Sequence, residues 1–147
     1  MIKPASLLLV EDNPMDVELI LHAFKEARLG NQIHTARNGK EALEFLFGEG
    51  KYADRRQYPL PDIILLDLKM PGIDGHEVLR RIKCADKLKR LPVIILTSSR
   101  DEGDRAMSYD NGANSYLVKP VAFDEFLKVV KTVSDYWLTL NVEPPID

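Results

Sequence analysis

Short apolar runs alternate along the chain with longer stretches whose apolar positions recur every three or four residues. The short runs are Ser6 to Val10, Gln32 to Ala36, Ile63 to Leu66, Val93 to Leu96 and Ser115 to Val118. Between and after them lie Val17 to Leu29, Ala42 to Phe47, Val78 to Ile82, Asp104 to Asn111 and Phe123 to Trp137. Brief apolar runs read as strands, and stretches with helical periodicity read as helices. Five strand-helix units predict a parallel sheet covered on both faces, because parallel strands are joined only by crossovers. The predicted fold class is α/β, doubly wound.

The punctuation between elements agrees with this. Asn13-Pro14 and Asp74 suit helix starts, and Gly30 and Gly112 suit helix ends. The connector from Gly48 to Pro61 is longer than an ordinary helix-to-strand link and reads as an exposed insertion, either a tolerated surface loop or a partner contact.

Composition narrows the class. At 147 residues, 45% hydrophobic and 29% charged, the chain suits one globular domain, read here as residues 1–147 with a C-terminal extension and tail over about 138–147 and no output domain. No apolar run is long enough for a membrane helix, and the N-terminus lacks the pattern of a secretory signal, so the expected location is cytoplasmic. A net charge of −3 and a short basic cluster at Lys87, Lys89 and Arg90 argue against nucleic acid as a partner. The single cysteine, Cys84, excludes a disulfide framework and is read as structural filler. His22, His34 and His76 are scattered and form no metal-ligand pair.

Four of the five predicted strands end in polar residues: Glu11-Asp12, Asp67, Thr97-Ser98 and Lys119-Pro120. Taken singly, each has an ordinary reading as a cap, a turn or a solvated charge. Together they matter, because the carboxyl ends of parallel strands converge on one crevice where ligands bind. Glu11, Asp12 and Asp67 would repel one another without a divalent cation, and an all-oxygen set suits Mg²⁺. Asp67 could then attack phosphorus as a carboxylate nucleophile, with Lys119 and the Thr97 hydroxyl meeting the phosphoryl oxygens.

The segments LLLVEDNPMD, ILLDLKMPGIDG, VIILTSS and YLVKP resemble, in order and spacing, the signature segments of bacterial response-regulator receiver domains. The resemblance covers nearly the whole chain. It implies a flavodoxin-like sheet of order 2-1-3-4-5 and a phosphoacceptor at Asp67. It further implies Mg²⁺ held by Glu11, Asp12, Asp67 and the Lys69 backbone carbonyl, with Thr97 and Lys119 on the phosphoryl group. Tyr116 falls at the aromatic switch position, and the fourth helix, fifth strand and fifth helix would form the responsive surface. Lys69 and Ser99 fall at positions that tune water access, and a cis peptide bond is expected between Lys119 and Pro120. Glu11 departs from the aspartate common at its position, and its longer arm is expected to reach the metal through water.

The long insertion and the tail DYWLTLNVEPP resemble the small single-domain regulators that partner cyanobacterial phytochrome kinases. That likeness implies a phytochrome-type histidine kinase as donor and a further protein or phosphotransfer partner downstream. A phosphatase of the haloacid-dehalogenase type is the enzymatic rival, but it needs an acid two residues after the nucleophile, where Lys69 stands. A flavodoxin-like electron carrier is a second rival, disfavoured because Glu11-Asp12 would repel the flavin phosphate.

Phe123, Phe126, Val130, Val133, Trp137 and Leu140 recur at helical steps and form one apolar stripe. Phe126 and Val130 are expected in the core. Tyr136, Trp137 and Leu140 are expected beyond it, as a homodimer or partner surface, unless they fold back on their own domain.

Overall fold

A computed structural model describes residues 6–26, 32–137, 142, 144 and 145. Among the described residues, five strands and five α-helices alternate: β1 Ser6–Val10, α1 Pro14–Glu26, β2 Gln32–Ala36, α2 Gly39–Phe47, β3 Ile63–Leu66, α3 Gly75–Cys84, β4 Val93–Thr97, α4 Glu102–Asp110, β5 Ser115–Val118 and α5 Phe123–Asp135. The strands form one sheet of order β2-β1-β3-β4-β5, and every pairing is parallel. This is the doubly wound α/β architecture with the flavodoxin-like order.

Successive side chains on a strand point to opposite faces, so each central strand feeds two cores. Leu8, Val10, Ile64, Leu66 and Ile95 meet Phe45, Leu46, Val78, Leu79 and Ile82 from α2 and α3. Leu7, Leu9, Ile63, Leu65 and Ile94 meet Ile20 and Phe24 from α1 and Phe126, Val130 and Val133 from α5. β1, β3 and β4 are buried along their whole length. Each fully buried Leu or Ile contributes about 1.5–3 kcal/mol, which makes these three strands the stable floor of the molecule.

Local capping sets the helix starts. Asn13 accepts from the Met15 and Asp16 amides, Asn38 from Glu41, Asp74 from Glu77, and Asp101 from Gly103 and Asp104. α4 therefore begins at Glu102 rather than at Asp104, because Asp101 is its cap. Gly112, at φ 99°, follows α4 as expected. Gly30 lies outside the described residues.

The connector between α2 and β3 is exposed along much of its length, as expected, but it is fastened to α2. Gly48 ends α2 in the left-handed region at φ 68°, a conformation glycine adopts without a Cβ penalty. Arg55 then donates to the Phe45, Leu46 and Tyr58 carbonyls at 2.8, 2.7 and 3.3 Å, so its guanidinium completes the helix end. Tyr52 is buried, with its ring 5.1 Å from Phe45 and 5.0 Å from Tyr58. The insertion is a packed flap over α2, sealed by aromatic rings.

Two further expectations change. Cys84 is exposed at the end of α3 and fills no core space. Along α5, Phe126, Val130 and Val133 are buried, but Phe123 at the head of the helix is exposed. The helix runs into a wider π-type turn through Tyr136 and Trp137. Trp137 packs against the α1–α5 core while Tyr136 stays exposed, so the end of the stripe partly folds back on its own domain. Leu140 lies outside the described residues.

Candidate functional site

Register brings the polar strand ends together. Val10 pairs with Leu66 across β1 and β3, so Glu11 and Asp67 emerge level with one another, and the Asp67 amide continues the ladder by donating to Val10 at 3.0 Å. Thr97 pairs with Val118 across β4 and β5, and the Lys119 amide donates to Thr97 at 2.7 Å. Glu11, Asp67, Thr97 and Lys119 are all buried, while Asp12 is exposed at the rim.

Lys119 is the centre of the cluster. Its ammonium contacts Glu11 Oε1, lies 2.8 Å from Asp16 Oδ2 and lies 3.1 Å from Asp67 Oδ2. An ammonium has three N–H donors, and these three carboxylates use all of them. Burial works to lower the Lys119 pKa, but hydrogen bonds to Asp16 and Glu11 outweigh it and hold the group above the usual lysine range. Burial pushes the Glu11 carboxyl up to about 7, and the negative charge of Asp67 adds to the shift against the pull of Lys119.

Asp16 was not among the residues expected here. The signal was available: once α1 starts at Pro14, position 16 lies in its first turn, above the strand ends. Glu11, Asp12 and Asp67 each offer a carboxylate oxygen, all within 4.8 Å of one another. This all-oxygen donor set fits a hard divalent cation.

The loops after β3 and β4 are fastened to these groups. The Lys69 amide donates to Asp67 Oδ1 at 3.3 Å, and the Ser99 amide donates to Thr97 Oγ1 at 3.3 Å. The Lys69 side chain turns away, with its ammonium 3.0 Å from Asp104. Tyr116 on β5 is partly buried, and its hydroxyl donates to the Ser99 carbonyl at 3.1 Å. Gly75, at the start of α3, lets the helix backbone touch the Asp67 loop: a Cβ there would sit 2.4 Å from the Asp67 carbonyl oxygen.

The expected cis bond before Pro120 is absent. Lys119–Pro120 is trans, the isomer favoured by about 0.5–1 kcal/mol for such bonds, and Lys119 reaches its three carboxylates with the trans bond in place. Tyr136 and Trp137 lie at the opposite end of α5 from this cluster, roughly 20 Å along a helix of this length. Their rings meet edge to face at 5.2 Å.

Comparison with known proteins gives a consistent picture. The family description "Response regulator receiver domain" matches residues 7–131. The probable methanogenesis regulatory protein FilR2 of Methanothrix harundinacea is 39% identical over 141 residues, 96% of this chain and 88% of that protein. Response regulator Rcp1 of Synechocystis sp. is 38% identical over 135 residues, 92% of this chain and 90% of that protein. The solved Mn²⁺-bound form of Rcp1 superposes with a TM-score of 0.90 at 37% identity, covering 97% of this chain and 100% of that one. The phosphorylated cyanobacterial phytochrome response regulator RcpA superposes with a TM-score of 0.92 at 38% identity, covering 97% of this chain and 100% of that one.

Proposed function

The chain belongs to the response regulator receiver family, and from that premise we propose that Asp67 accepts a phosphoryl group from a histidine kinase of the phytochrome type. The observation that carries the reading is the buried cluster in which one ammonium faces Asp67 while Glu11 and Asp12 stand within metal-binding reach of it. In the transfer an Asp67 oxygen attacks phosphorus, the bond from phosphorus to the kinase imidazole nitrogen breaks, and the imidazole leaves. Thr97 and Lys119 meet the phosphoryl oxygens, Lys119 by turning to them donors now held by Glu11 and Asp67.

We assign Mg²⁺ to Glu11, Asp12, Asp67 and the Lys69 carbonyl, with Glu11 reaching through water. The bound ion would draw charge from the phosphoryl oxygens as the new bond forms. Tyr116 is the switch residue, and the surface of α4, β5 and α5 carries the output to a downstream protein or phosphotransfer partner. The chain acts in the cytoplasm as a signalling protein whose chemistry is confined to its own phosphoryl group. The phosphatase alternative has no support: Lys69 stands where the second acid would be, with its ammonium tied to Asp104.

A homodimer through Tyr136, Trp137 and Leu140 completes the proposal. Its support is the apolar groove that Tyr136 and Trp137 share with Leu117, Val129 and Val133.

Labelling with a small acyl phosphate and Mg²⁺ tests the central assignment. One phosphoryl group per native chain is expected, with none on Asp67→Asn and none in excess chelator. Undiminished label on Asp67→Asn would overturn it.

A further inference from the structure

Asp104 plays no part in the acceptor site described above, yet it collects three donors on one carboxylate. Oδ2 accepts from Ser99 Oγ at 2.6 Å and lies 3.0 Å from Lys69 Nζ, while Oδ1 faces His76 Nε2 at 3.0 Å. The three partners come from three segments: the loop after β4, the loop after β3 and the first turn of α3. Asp104 itself is well seated on α4. Its amide donates to the Asp101 cap and its carbonyl accepts from Ser108 Oγ at 2.8 Å. Hydrogen bonds from Ser99, His76 and Lys69 hold its carboxyl below the usual range, so it stays ionised.

Two of these partners also hold the working side chains. The Lys69 amide touches Asp67 Oδ1 and the Ser99 amide touches Thr97 Oγ1, each at 3.3 Å. Both distances lie just beyond the usual range for such bonds, so a small loop shift breaks them. Tyr116 pins the Ser99 carbonyl from the other side.

We propose that Asp104 is a positioning residue for phosphoryl transfer, fixing the loops after β3 and β4 so that the Lys69 and Ser99 amides hold Asp67 Oδ1 and Thr97 Oγ1 in the receiving orientation. The inference rests on the reading of Asp67 as acceptor. Asp104 acts at a distance, through two backbone amides, and ties α4 to the occupancy of the acceptor. An anchor for α4 alone would have no reason to draw in both loops.

The experiment labels native chain, Asp104→Ala, Ser99→Ala, Lys69→Met and the Ser99→Ala/Asp104→Ala double variant with acetyl phosphate, with folding checked by thermal melts. In this reaction the Asp67 oxygen forms its bond to phosphorus and acetate leaves. Because small misplacements of reacting groups are costly, Asp104→Ala is expected to lower the maximal labelling rate about tenfold. The acetyl phosphate and Mg²⁺ concentrations for half-maximal rate should stay unchanged. Each single-arm variant should lose part of the rate, the double variant should be no slower than Asp104→Ala, and Asp104→Glu should recover part of the loss. A folded Asp104→Ala that labels at the native rate overturns the inference alone. If that variant does not fold, native rates in both Ser99→Ala and Lys69→Met overturn it instead. A native chain that takes no label sinks the acceptor reading and this inference with it.

Discussion

The Tyr116 hydroxyl donates to the Ser99 carbonyl at 3.1 Å, which fastens the ring of a β5 residue to the loop that follows Thr97. The ring also packs against the core between the sheet and α3. Any displacement of Thr97 toward a group on Asp67 therefore pulls on the Tyr116 tether.

Tyr116→Phe should remove the tether and keep the packing. A partly buried hydrogen bond contributes about 0.5–1.5 kcal/mol, so a stability loss of about 1 kcal/mol is expected in urea. Amide exchange over residues 97–101 should quicken in the unlabelled protein, while Asp67 still takes label. Unchanged exchange in that loop would show that the hydroxyl does not hold it.

Gly75→Ala is expected to be costly despite alanine being the better helix former by about 1 kcal/mol. The added carbon would meet the Asp67 carbonyl oxygen at 2.4 Å and the Leu68 Cα at 2.6 Å. Both are backbone atoms, so no side chain can turn aside. A net loss of about 1–3 kcal/mol is expected, together with slower labelling, because relief requires moving the acceptor loop. Native stability with a native labelling rate would contradict the close approach.

His34 gives an acid-side dependence of stability. Burial holds its imidazole below its ordinary value of 6.5, and the ring lies 5.2 Å from Phe45 and 5.7 Å from Tyr58. A depressed pKa means the unfolded chain binds the proton first, so the stabilisation is whole above pH 6.5 and is lost as pH falls through the folded-state value. His34→Phe should therefore gain on the native protein as pH falls from 8 to 5.5, as read from urea midpoints. A gap between the two proteins that does not change with pH would count against the burial argument.

How far the sequence foretold this structure depends on where the signal lay. β1, β2, β3 and β5 begin and end where the predicted runs do, and β4 runs one residue further; the signal is strongest in β1, β3 and β4, which are buried along their whole length and so are nearly all apolar. Convergence of Glu11, Asp12, Asp67, Thr97 and Lys119 followed from strand ends alone, since parallel strands share one carboxyl edge. The start of α4 was misjudged because its first turn holds no apolar residue and only the Asp101 cap marks it. Asp16 could have been found from its place in the first turn of α1, but its pairing with Lys119, 103 positions away, carries no local pattern, and neither does that of Asp104 with His76, 28 positions away. The fastening of the Gly48 to Pro61 connector was not foreseen, because it comes from Arg55 and two tyrosines closing on α2, contacts that hydropathy does not record.

The meeting of several carboxylates with a single lysine also shapes the field around the whole molecule. With every acid ionised, Glu11, Asp12, Asp16 and Asp67 against Lys119 leave an excess of three formal negative charges at one edge of the sheet, and the entire chain carries a formal −3. The formal charges of the remaining residues sum to zero, so the chain's net negative charge is matched by the excess at the acceptor. Cations are drawn to these strand ends, an attraction that reaches about 8 Å into solution at physiological ionic strength and shortens as salt rises.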